Sequence, residues 1–194
     1  MVLKEPTNED VRKIHAECIQ ITNQRFVITT LAVTVFGIIG AWMIPRGAPV
    51  AESASGAFAL TGSIILTLLL FLLFFFNHFL RGMLRIFTTY LITTGKSSWE
   101  YDWERYRKTR YFGYTKTQSF VFLVLGVLST SYPVILAQTY SLKLVPEVWL
   151  WADIVIGVMY VALVYAMGFR GLWDPEPIAK KRWQELANQQ TPAS

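Results

Sequence analysis

Four long apolar runs constrain this chain more than any other feature. They cover residues 26–44, 58–79, 119–139 and 148–168 of 194. The second is the extreme case, because positions 68–76 hold only Leu and Phe. A helix needs about 20 apolar residues to cross the hydrocarbon core of a bilayer. At the α-helical rise the first run alone reaches about 28 Å. Charged residues make up only 16% of the chain, against about 25% in soluble domains. The expected fold is an all-α membrane protein, one integral-membrane domain over residues 1–194, with four transmembrane helices. Helical extensions are expected at 1–25, 80–117 and 169–194.

The cations set the orientation. Lys4, Arg12, Lys13 and Arg25 precede the first run. Arg81, Arg85, Lys96, Arg105, Arg107, Lys108, Arg110 and Lys116 lie between the second and third. Arg170, Lys180, Lys181 and Arg182 follow the fourth, while Arg46 and Lys143 stand alone in the two other connections. Cytoplasmic loops carry the excess of Lys and Arg. Both termini and the middle stretch are therefore expected in the cytosol. The net charge of +5 follows from that orientation and from contact with anionic lipid heads, so nucleic acid is not the expected partner.

Local signals refine the elements. Thr7 and Asp10 have capping-box spacing, with Asp in place of Glu or Gln. Val11, Ile14, Cys18 and Ile21 form a helical stripe. No breaker intervenes before the first run, so one helix should extend from Asn8 until Pro45 stops it. Acidic Glu5, Glu9 and Asp10 ahead of a late apolar run argue against a cleaved signal peptide. The second helix should continue through Arg81, Arg85 and Tyr90 to a Gly95 cap, with Asn77 and His78 satisfied by headgroups. Trp149, Trp151, Phe169 and Trp173 read as interface anchors. In the tail, Asp174 should cap a short helix that passes through Trp183 and Leu186.

Ser97 and Glu100 open a further capping box. Trp99, Trp103 and Tyr106 then recur at i, i+4 and i+7. With Arg105, Arg107, Lys108 and Arg110 they form a candidate partner-binding face; the competing reading is a helix lying at headgroup depth. In the third run Gly126, Ser129, Thr130, Ser131 and Gln138 suit helix–helix contact in lipid. Pro133 should kink that helix and free a carbonyl for Ser129 or Thr130 to help satisfy.

One acid enters an apolar run. Asp153 lies roughly 8 Å into the fourth, at a depth where Gln138 could bond to it. Together with Thr130 and Ser131 these residues are candidates for lining a pore or polar cavity. Alternatively, Asp153 is a shallow acid reaching external headgroups beside Trp149 and Trp151. His15 and Cys18 stand i, i+3, but a metal site needs about four ligands, so a packed face is the expectation. The single cysteine permits no intramolecular disulfide. Neither a catalytic triad nor a phosphate-binding glycine loop is apparent. The chain is not expected to be an enzyme or to hold a cofactor or metal.

In architecture the whole chain resembles the small four-span membrane components of prokaryotic antiphage systems, of the type of KwaA in the Kiwa system. The likeness rests on the amphipathic segment from Glu9 to Arg25, the four spans and the basic aromatic middle segment. It implies a homo-oligomer that works with a soluble cytosolic partner and senses or disturbs membrane state during infection, with a gated pore as one form. Residue chemistry leaves two alternatives open: a small membrane enzyme or transporter for a lipophilic substrate, using Asp153 or Glu100/Glu104, and an accessory subunit of a larger membrane complex.

Overall fold

A computed structural model describes residues 7–44, 52–94, 114–142 and 147–188. Within them the chain is helical: α1 Asn8–Met43, α2 Glu52–Thr93, α3 Tyr114–Tyr140, α4 Glu147–Gly168 and α5 Glu176–Asn188. The first four are long and apolar enough to cross a membrane. The protein is an all-helical, multi-pass membrane protein.

The capping box expected at the start of α1 is present. Asp10 N donates to Thr7 Oγ1 and Thr7 N donates to Asp10 Oδ2, so the shorter acid reaches the cap. From there α1 runs uninterrupted for 36 residues and α2 for 42. These are about 54 and 63 Å long, roughly twice the hydrocarbon thickness.

Each spanning helix buries one seam whose positions step by three and four, the spacing that keeps one face against a neighbour. On α1 the seam is Cys18, Ile21, Arg25, Ile28 and Ala32. On α2 it is Ser63, Thr67, Leu70, Phe74, Asn77 and Arg81. The other faces carry exposed Leu and Phe, among them Leu68, Leu72, Phe75 and Phe79. In lipid that exposure has no cost, so the Leu/Phe run divides between core and bilayer.

Cross-helix contacts give an up-down-up-down bundle. Arg25 meets Asn77 and Gln118, and Asp153 meets Ser63. Helix α2 is central and packs against each of the other four. The α3–α4 seam closes through small residues. A Cβ on Gly126 would overlap the Tyr160 ring, one on Gly157 the Thr130 side chain, and one on Gly168 would meet Ser119 Oγ at 2.6 Å. Tyr160 also donates to the Phe122 carbonyl at 2.8 Å. Such close approach is how helices associate in lipid, where the hydrophobic effect does not drive them together.

Both termini-proximal helix ends lie at one pole, here the basic end. There α5 packs lengthwise on α2: Pro175 lies over Gly82 and Trp183 meets Tyr90 edge-on at 4.8 Å. Asp174 Oδ1 accepts from the Glu176 N–H, as expected of a cap. Arg85 clamps the joint by pairing with Asp174 and with Glu176 at 2.6 Å.

Candidate functional site

Two polar layers interrupt the apolar seams, and neither lies where sequence alone puts it. The first is near the loop end. Pro133 has no N–H, so the Ser129 carbonyl one turn earlier loses its helical donor. The replacement is the Ser63 hydroxyl of α2, at 2.8 Å. Neither Ser129 nor Thr130 does this job, because Thr130 Oγ1 donates to the Gly126 carbonyl. Ser63 Oγ also lies 2.8 Å from Asp153 Oδ1, and Thr67 Oγ1 lies 2.9 Å from Ser129 Oγ. Three helices thus meet at one hydroxyl.

This corrects the reading of Asp153 as a shallow acid among external headgroups. Its side chain turns inward and is 1% exposed, while Trp149 and Trp151 on the same helix face outward. Its partner is Ser63; Gln138 is exposed near the end of α3. Thr130 and Ser131 are half-buried, and the Ser131 hydroxyl returns to the Val127 carbonyl of its own helix. Of the four lining candidates, then, only Asp153 joins the polar layer. The hydroxyl of Ser63 has one proton for two acceptors, so the layer is fully hydrogen-bonded only when Asp153 supplies a second.

The other layer is near the basic end. Arg25 is 3% exposed and sits on the α1 seam. Its Nε donates to Asn77 Oδ1 at 2.9 Å and its Nη2 to Gln118 Oε1 at 2.6 Å. A guanidinium shut away from water costs several kcal/mol unless its donors are satisfied, and these amide oxygens replace water. Asn77 therefore serves Arg25, not the headgroups expected from sequence, while His78 is half-buried beside Phe74. One turn further, Arg81 donates to the Met167 carbonyl at 3.3 Å. Leu70, Phe74 and Phe122 pack between the two layers.

Sequence reasoning missed Arg25, Ser63, Thr67, Asn77 and Gln118 as a buried set. A signal existed: each falls on its helix's three-and-four seam with the buried apolar residues. The partner-face candidates Trp99, Trp103, Tyr106, Arg105, Arg107, Lys108 and Arg110 lie outside the described residues, as do the Gly95 cap and the Ser97/Glu100 box. Among the described residues, no group of three His, Cys, Asp or Glu side chains is arranged to hold a metal.

Fold and layers together define a polytopic helical membrane protein with a helical extension at one pole. The chain matches no family model, no curated protein sequence and no solved structure.

Proposed function

We propose that this protein is a homo-oligomer of the bacterial inner membrane, with both termini cytosolic, whose cytosolic layer docks a soluble partner. In this reading it is a membrane sensor or pore-forming effector of antiphage defence. The observation that carries the docking element is the extension at the basic end. There α1 and α2 continue well past bilayer thickness, and α5 is fastened along α2 by the Arg85–Asp174–Glu176 pairs and the Tyr90–Trp183 contact. A fastened helical layer is pre-organised for a partner, which lowers the ordering cost of binding. In sequence the basic aromatic segment 99–110 falls between α2, which ends at this pole, and α3, which begins there. The concentration of cations in segments leading to that pole supports the cytosolic assignment.

The test has three readouts. In a Cys18→Ala background, Arg107→Cys and Arg182→Cys should label only after the cells are opened, and Lys143→Cys from outside. Native mass spectrometry in detergent should return a discrete multimer. A photoreactive residue at Tyr106 should crosslink, in cells, to one soluble protein, and Trp99→Ala with Trp103→Ala should abolish the band. External labelling of Arg107→Cys, or a monomer at every concentration, overturns the proposal.

A second reading has one observation in its favour, the buried Asp153. A buried acid bonded to a hydroxyl inside a bundle suits a transporter or enzyme for a lipophilic substrate. Loss of transport or turnover in Asp153→Asn at normal stability would favour it.

A further inference from the structure

An open groove of about 500 Å³ runs along the outside of the α3–α4 seam. Leu123 and Thr130 line it from α3, and Ile154, Val158, Ala162 and Tyr165 from α4, with Gly157 as its floor. The wall is almost wholly apolar. Its axial extent, from Ile154 to Tyr165, is about 16 Å by the helical rise. That is close to one leaflet, half of a hydrocarbon core about 30 Å thick. It is also offset toward the basic end, since α4 spans Glu147–Gly168 and the groove begins about a third of the way along that helix and ends just short of the basic end.

The mouth at the basic end is cationic. The Arg170 guanidinium lies 5.9 Å from the centre of the Tyr165 ring, and Phe169 stacks on that ring at 5.8 Å. Lys116 is exposed one heptad before Leu123, which is itself one heptad before Thr130, so the three share a face of α3. The nearby acids Asp174 and Glu176 both pair with Arg85, which offsets one of their two charges.

We infer that this groove is a binding site for an anionic phospholipid of the leaflet at the basic end. One acyl chain lies along the groove and its phosphate meets Arg170 and Lys116. The apolar wall alone would accept any acyl chain. The mouth adds selectivity, at about fivefold per cation and roughly 25-fold for the pair at low ionic strength.

The test uses the full chain in vesicles of phosphatidylcholine that contain phosphatidylglycerol with a diazirine in one acyl chain. Illumination and peptide mapping should place label within 123–130 and 154–165. Unlabelled phosphatidylglycerol should compete, and phosphatidylcholine should do so at least tenfold less well. Lys116→Gln with Arg170→Gln should erase that difference, and Lys116→Arg with Arg170→Lys should restore it. Ala162→Trp should displace label from the groove while the mouth charges stay intact. Equal competition by the two lipids overturns the inference. So does label spread evenly over lipid-facing α1 positions such as Phe26 and Leu31, or protection of Val158 by a second copy of the chain.

Discussion

Replacing Ser63 by Ala tests whether the layer around Asp153 is a structural joint. The change removes one hydroxyl and two contacts at 2.8 Å, to the Ser129 carbonyl and to Asp153. Hydrogen bonds between transmembrane helices average about 0.6 kcal/mol and reach about 1.7, so the pair should contribute about 1–3 kcal/mol. The upper part of that range is expected. Pro133 leaves the Ser129 carbonyl without its helical donor, and an unsatisfied buried acceptor costs more than a hydrogen bond returns. Asp153→Asn should behave differently. The Asn amide can donate to Ser63 Oγ while Ser63 donates to Ser129, so every contact persists and stability should change by less than about 0.5 kcal/mol. Steric-trap unfolding in micelles reads both variants on one scale. If Ser63→Ala is neutral, or Asp153→Asn costs as much as Ser63→Ala, the hydrogen-bond assignment is wrong.

Gly126→Ala should drive a methyl into the Tyr160 ring and cost about 1–3 kcal/mol through overpacking; in a Tyr160→Ala background the same change should be nearly neutral in a double-mutant cycle. Arg25→Ala removes the donor to the amide oxygens of Asn77 and Gln118, and about 2–4 kcal/mol of stability should be lost in the same unfolding assay. Arg85→Ala removes the cation shared by Asp174 and Glu176; limited proteolysis should then cut residues 169–175 several times faster while α1–α4 stay protected. Thr7→Ala should fray the first turn of α1 at a cost of about 1 kcal/mol, visible as faster amide exchange at residues 8–11.

What could be read from the chain depended on the kind of signal. The Thr7/Asp10 cap needed only a four-residue match, and the first helix needed only the absence of a breaker between Asn8 and Ile44. The side-chain chemistry of the layers was less accessible. Arg25 counts equally well as a topology-setting cation or as a buried donor, and nothing local distinguishes the two. Gln138 and Asp153 seemed matched in depth, yet depth along a helix says nothing about rotation around it. That rotation turns Asp153 to Ser63 and leaves Gln138 exposed.

By itself the sequence determined that the chain is helical and has four segments suited to a bilayer. Backbone groups in hydrocarbon must be satisfied within a segment, and run length and composition are local quantities. Tertiary structure decided which polar residues meet. Ser63 and Asp153 are 90 positions apart, and Arg25 and Gln118 are 93. Their pairing depends on the mutual rotation of packed helices, set by close contacts such as Gly126 against Tyr160, and no local pattern encodes a relation between distant seams.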